Sequence, residues 1–600
     1  MVSVLERRRI RRMGNSSAKP QLSEEQVDIR YLGSRYPFGD DELVKLYRSF
    51  HKFLRQKEEG QCSVSFLSYW AVESVCTPMP PPRPVSPPGA SAAEEPEPGD
   101  GKPPTASTNN NTPETAVQYT LDETKQERFM LMQVIETKIL PPEFSHLLEK
   151  TNFAIATDSD RMGKIESFFQ GVANLGRKGG RQALSVLFDC YAVEKVSNSN
   201  PAPFDGGDRG SKTMVADFNL VLLLAYRLSL AAAFLDAARN GDDMQQWIPG
   251  ENLDLTAMKG LCHSLVEFIK LKRLRESPYG DVTHDPDLEK GFVEKLDMQE
   301  FAEYRLPVLS SALSFFMFQV FFPEKPYPPS RTAFRFPKLS EDSTFFAEAA
   351  SPLLFSFASL STSLAGSWYR LYTSSHDGLS FNRLQNSLLG YAGPTLVIIR
   401  ATNGGIFGAF TASAWKETKD FYGSSDCFLY QLIPMTAVYR PSGGGTNFMY
   451  CNSEGRSRGY DAQAHGIGFG GDVHKPRLFI SETFENCIAL SQDLTFEHGI
   501  LLPKTPDGAM QSSFDIDSLE VWGVGGDDVV SEALGARFRQ REIVDANLRK
   551  ARKVDKAAFL DDFRGGLIES KAFAYRDQIR GRADAAIDDR NGKNSYSYEK

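Results

Sequence analysis

The chain has 600 residues, 41% of them apolar, and a net charge of −9 at pH 7. That length predicts several domains at roughly 150 residues each, and the acidic balance argues against a general nucleic-acid binder, which carries a basic footprint. Seven scattered cysteines, with no C-x-x-C pair, read as reduced cytosolic thiols rather than a disulfide framework.

Residues 1–21 read as a disordered basic leader. Arg7, Arg8, Arg9, Arg11 and Arg12 stand where a signal peptide needs an apolar stretch, and they would draw the leader to anionic lipid. Residues 22–76 carry helix signals: Glu42, Leu43, Leu46, Phe50 and Phe53 have the spacing of one helix face. Residues 77–118 are dense in Pro, Ser, Gly and Asn and read as a disordered insert, because they hold too few large apolar groups to offset ordering. Helical pattern returns over 119–322. The apolar run Phe218 to Leu235 is interrupted by Arg227, so it reads as a buried helix rather than a membrane span, which needs about 20 uninterrupted apolar residues. A Pro-rich connector follows at 323–345.

From 346 to 526 the period changes. Thr395–Arg400, Ile406–Thr411, Cys427–Leu432, Phe448–Asn452, Arg477–Glu482 and Leu519–Val524 read as short strands between turn residues. Their spacing is that of an antiparallel sheet or sandwich, with a helix at Phe381–Leu389. Residues 527–582 turn helical again, with a break at Gly565-Gly566 and a second helix from Leu567 to Arg580; residues 583–600 read as a disordered tail. Arg537, Phe538, Arg541, Leu548, Arg549 and Arg552 make the first of these helices cationic and partly apolar, a composition suited to docking in a groove or on an acidic subunit. The alternative is packing back on its own domain.

Chemical motifs are weak. Asp158 to Phe169 has Asp at two calcium-loop positions and Gly at the sixth, but lacks the oxygen at position five and the Glu at twelve. It reads as an EF-hand-like pair that has lost its metal. Gly466 to Gly471 satisfies G-x-G-x-x-G without the strand and helix that a dinucleotide needs, so its glycines read as sheet turns. His465, Asp472 and His474 are a thin case for a metal site, and His376-Asp377 lacks a nucleophile. Cys427, Cys451 and Cys487 lie in apolar patterns and read as inert. No catalytic set, cofactor or metal is expected.

One resemblance runs through this stretch. Ser375-His376-Asp377-Gly378 with Phe381, Gly393-Pro394-Thr395-Leu396-Val397, Phe407-Gly408-Ala409-Phe410-Thr411 with Trp415, Gly468-Phe469-Gly470-Gly471-Asp472 with Leu478-Phe479-Ile480, and Glu520-Val521-Trp522 follow in order. Together they resemble the TLDc domain family. The resemblance implies a β-sandwich with flanking helices in which Asp377, Gly378, Gly393, Pro394, Gly408, Gly468, Gly470, Gly471, Glu520 and Trp522 are structural.

The start Met13-Gly14-Asn15-Ser16 resembles the myristoylation start of the family's lysosome-associated, nutrient- and mTOR-signalling branch, which carries an EF-hand-like region before its TLDc domain. Here Ala18 replaces the usual hydroxyl, and Gly14 is internal unless translation starts at Met13. The fold class expected is therefore α+β and multidomain: EF-hand-like helices, a TLDc sandwich and a C-terminal helical extension. The resemblance implies a non-enzymatic adaptor that binds cytosolic subunits of the V-type proton ATPase at lysosomal or vacuolar membranes, with links to oxidative-stress resistance and growth signalling. The membrane surface is a further expected partner, through lipid and leader, and nucleic acid is not. The competing readings are a redox or metal-dependent enzyme in the TLDc domain and a calcium sensor.

Overall fold

The computed structural model describes residues 23–59, 65–76, 127–153, 160–177, 180–191, 212–276, 286–323, 325, 327, 334–346, 349–452, 465–472, 474–503 and 511–564. The leader with Gly14, the insert 77–118, the second C-terminal helix and the tail lie outside these residues. The chain divides into two compact units, Met1–Val530 and Ser531–Lys600.

Helix α1 (Glu24–Arg35) opens on a capping box in which the Ser23 and Gln26 side chains each accept the other's backbone amide. Helix α2 (Asp40–Glu58) buries the face expected from spacing, Glu42, Leu43, Leu46, Phe50 and Phe53. Helices α3 (Phe66–Cys76), α4 (Pro142–Leu148), α5 (Arg161–Val172) and α6 (Arg181–Asp189) follow. Helix α7 (Val215–Asn240) is long and apolar enough to cross a membrane, yet 72% of its most apolar stretch is buried among the other helices. It packs against α3, α6, α8 (Thr256–Glu276) and α10 (Leu309–Phe321). Arg227, which interrupts its apolar run, donates to the Lys138 and Ile139 carbonyls that end a neighbouring helical turn. Short strands β1 (Lys212–Met214) and β2 (Phe292–Glu294) pair antiparallel and run directly into α7 and α9 (Lys295–Arg305).

Of the weak calcium-loop pattern over Asp158 to Phe169, read above as having lost its metal, Asp158 and Ser159 lie outside the described residues. Asp160 caps α5 by accepting the Gly163 amide at 2.9 Å, and the chain is helical from Arg161 onward. A coordination loop holds its ligands on twelve residues between helices; here residues 161–169 are already helix.

The later half forms two antiparallel sheets. The six-stranded sheet has the order β14 (Gln511–Phe514), β13 (Cys487–Leu490), β12 (Leu478–Ser481), β11 (Gly466–Phe469), β10 (Met449–Asn452), β7 (Thr418–Tyr422). The seven-stranded sheet runs β3 (Lys338–Leu339), β4 (Ser367–Thr373), β15 (Ile516–Gly523), β5 (Thr395–Ala401), β6 (Ile406–Thr411), β8 (Phe428–Ile433), β9 (Ala437–Tyr439), with only β3 joined in parallel. Its central strands are rich in β-branched and aromatic residues and are buried on both faces. One face meets the other sheet, where the Phe407 and Phe514 rings lie 5.1 Å apart. The opposite face, with Leu396, Ile398, Phe410, Phe428, Tyr430 and Trp522, joins the apolar core of the helices. Helices α11 (Pro352–Ala358) and α12 (Phe381–Leu389) flank this half.

That shared core changes the domain picture. The described part of the expected connector is packed rather than free. Phe334 and Phe336 are buried against Phe355, and Phe336 also meets Tyr226 and Trp247. Polar bonds add to the seam: Tyr226 donates to the Ala350 carbonyl at 2.7 Å, and Arg305 donates to the Val438 carbonyl and the Glu497 carboxylate. Gly260 lets α8 approach the Thr436 backbone so closely that a Cβ would sit 2.6 Å from its nitrogen.

A last helix, α13 (Asp527–Arg564), starts after Gly525 and Gly526, both at positive φ. Asp527 accepts the Ser367 amide at 2.8 Å and faces the Arg335 guanidinium at 3.4 Å. The helix is described as far as Arg564, and the Gly565-Gly566 pair expected to stop it lies outside the described residues.

Candidate partner-binding surface

The motif residues of the sheet half are occupied by the fold. Asp377 accepts the Thr373 amide, and Gly378 at φ 71° and ψ 163° takes a conformation essentially confined to glycine. Gly393 lies against the Tyr391 ring, and the Pro394 carbonyl accepts the Val524 amide. At Gly408 a Cβ would fall 1.9 Å from the Val397 carbonyl oxygen; at Gly468 it would enter the ring of Tyr450, its partner across the ladder.

Gly470 and Gly471 make a turn over a buried ion pair. The Gly471 amide donates to Asp493, which lies 3.8 Å from Arg477. Burial holds the Arg477 guanidinium down to about 10, against the pull of Asp493. Glu520 is 1% exposed and accepts from the Ser343 hydroxyl, the Thr344 amide and hydroxyl, and the Trp522 indole, so it fastens the start of this half to β15. Each of these groups is engaged by the fold.

The residues drafted for chemistry do not converge. Asp472 accepts the His474 and Lys475 amides in a tight turn, and His465 faces Glu482 at 3.9 Å. The His376 side chain is 83% exposed. Among the described residues no group of three or more His, Cys, Asp or Glu is placed to hold a metal. Burial pushes the Cys451 thiol up to about 12, and burial likewise raises Cys427 and Cys487. Such thiols are protonated at neutral pH, whereas reactive cysteines need a stabilised thiolate.

Helix α13 offers a different surface. At 100° per residue, Arg537, Phe538, Arg541, Leu548, Arg549 and Arg552 fall within about 120° of its circumference. Phe538 is 65% exposed and Leu548 50%, with Val544 beside them. Arg552 lies on the helix, but its side chain is outside the described residues. The result is an apolar stripe threaded with arginines on a helix of 38 residues. Exposed apolar surface rimmed by charge is characteristic of docking surfaces.

Comparison with known proteins gives the sheet half its family. The model of the TLDc domain matches residues 342–525. This stretch is a TLDc domain. The zebrafish (Danio rerio) MTOR-associated protein MEAK7 is 29% identical over 181 residues, 30% of this chain and 37% of that protein. The human protein of the same name is 26% identical over 180 residues, 30% and 36% of the two chains. Oxidation resistance protein 1 of Xenopus tropicalis is 27% identical over 121 residues, 20% of this chain and 14% of the other. The chain thus spans little more than a third of the length of the MEAK7 relatives it matches. Helices α1 to α10 and all of α13 lie outside the TLDc match.

Proposed function

We propose that this chain is a non-enzymatic TLDc adaptor that binds the cytosolic sector of a V-type proton ATPase at lysosomal or vacuolar membranes. The TLDc domain is the docking body, and the stripe of α13 is the gripping element. The observation that carries this reading is the exposed stripe of Phe538, Val544 and Leu548 threaded with arginines, in a chain whose TLDc motif residues are consumed by structure. The relatives' names, with mTOR association and oxidation resistance, support a regulatory role in growth signalling and oxidative stress.

The helical half fits an EF-hand-like origin, on the strength of β1 and β2 pairing while each runs into a helix. In that region Lys272 already occupies Asp297 and Glu300, at 2.7 and 2.6 Å, which speaks against calcium sensing. Myristoylation at Gly14 would supply one membrane signal and the basic leader a second, since a single acyl chain anchors only marginally. The raised thiols weigh against the redox-enzyme alternative.

Affinity purification from native membranes tests the central claim, comparing the full chain with a chain ending at residue 526. Recovery of V-type ATPase subunits by the full chain, and at least tenfold less by the shortened one, is the expected result. Failure of the full chain to recover any pump subunit overturns the reading.

A further inference from the structure

On α2, the face opposite the buried one carries Arg48, His51, Lys52 and Arg55, spaced i, i+3, i+4 and i+7, so all four share one side of the helix. Arg161, the first residue of α5, joins them from a different element. These side chains line a cleft of about 490 Å³, together with Tyr47 and, from the acidic side, Glu24, Glu25 and Glu59.

The acids do not balance the cations where it matters. Arg48 bonds Glu25 at 2.8 Å, and Lys52 bonds Glu73 at 3.2 Å. Among the described residues Arg55 and Arg161 have no carboxylate partner. One Arg161 nitrogen lies 3.2 Å from His51 Nδ1 and 3.1 Å from Nε2. A position equidistant from both nitrogens at that range is reached only over the ring face. The Tyr47 ring meets the same imidazole at 4.5 Å. Both in-plane ring positions of His51 are therefore left for a ligand.

Burial, then Arg161 and Arg55, hold His51 below its ordinary value, while Asp28 and Glu25 on α1 pull the other way. Cations gathered around a neutral imidazole repel one another until an anion enters.

We propose that this cleft binds a small polyphosphorylated anion, with Arg55, Arg161 and His51 as its principal contacts. Guanidinium forks match phosphate oxygens. The cations on α2 span seven residues, about 10 Å along the helix, which is too far for one phosphate and suits two or more. A soluble inositol polyphosphate and a phosphoinositide headgroup share this chemistry.

The full chain is titrated calorimetrically with inositol hexakisphosphate at 0.15 M salt, and sedimented with phosphatidylcholine vesicles with and without phosphatidylinositol bisphosphate. The Arg55→Gln/Arg161→Gln variant should weaken binding roughly tenfold or more, in line with loss of charged hydrogen bonds. A Lys416→Gln/Lys475→Gln variant removes the same charge elsewhere and should bind as the parent does, and matched thermal unfolding shows that both variants fold. Binding should strengthen as pH falls from 7.5 to 6, because the anion raises the His51 pKa, and His51→Gln should flatten that dependence.

Arginine-dependent binding of the soluble probe supports a free polyphosphate as ligand, and arginine-dependent binding only to the phosphoinositide vesicles supports a lipid headgroup. Absence of both, binding unchanged in the Arg55/Arg161 variant, or equal affinity for an oligoglutamate peptide overturns the proposal.

Discussion

Glycine positions in this chain do two separable things. Gly408 stands where any Cβ would collide with the Val397 carbonyl and the Tyr430 ring inside a sheet. Gly241 ends α7 in a left-handed turn, at φ 73°, and an added methyl group there would meet nothing within 4 Å. Gly408→Ala should therefore cost more than about 3 kcal/mol, since a packed ladder must move. Gly241→Ala should cost about 1 kcal/mol, the conformational penalty alone. Urea unfolding of the two variants measures both, and equal losses would show that the two sites are under the same constraint. Gly470 and Gly471 were legible in the sequence as turn positions, whereas Gly466 and Gly468, read as turn glycines too, lie in β11, and Gly408 was legible as a motif position alone. The clash partners of Gly408 and Gly468 were not legible, because Val397, Tyr430 and Tyr450 reach them only through strand register.

Elements were legible where hydrophobic period was strong. Helix α12 and strand β6 occupy the expected residues, and β5, β8, β10, β12 and β15 lie within three residues of expectation. Strands β7, with Thr418-Lys419-Asp420, and β11, with two glycines in four residues, carry little β propensity and were missed. They are strands because neighbours pair with them. Helix α2 shows what spacing conceals. Its Glu42 lies on the apolar face, and its carboxylate accepts from Lys325, the Gly39 amide and Arg177.

Burial alone would raise the Glu42 pKa, but these three donors outweigh it and hold the carboxyl below its usual value. A depressed carboxyl pKa gives stability that is present above the unfolded value of about 4.3 and is lost as pH falls through the folded value. Glu42→Gln should thus destabilise by about 1–3 kcal/mol at pH 7, where a charged acceptor of hydrogen bonds is removed. The gap from the parent should narrow below pH 4. Chemical denaturation at pH 7, 5 and 3.5 reads this, and a gap that widens in acid would contradict it.

At the scale of the whole molecule, one apolar core runs from Tyr31 in α1 to Val524 after β15, across both the expected helical region and the expected TLDc domain. Hydrophobic period marked the change from helix to strand, but it says nothing about which faces meet. Residues 23–530 should unfold in one calorimetric transition. A fragment of residues 340–530 should aggregate, because the face with Leu396, Ile398, Phe410 and Phe428 loses its cover. Two resolved transitions, or a soluble, cooperatively folding fragment, would refute the shared core. Arg305→Ala leaves the buried apolar seam in place and removes one polar tie, so it should lower the transition temperature without splitting it.

The covered sheet face also bears on descent. A TLDc domain recognised by its sequence ends at residue 525, but the apolar core it shares with the helices also takes in Tyr226 and Phe336, which precede the match. Substitutions at those two positions and at Phe355, which both rings meet from within the match, must therefore be accepted jointly. The helices and the sheet can be inherited only as a matched set, and a recombination that exchanged the TLDc module alone would bring together two surfaces never selected against each other.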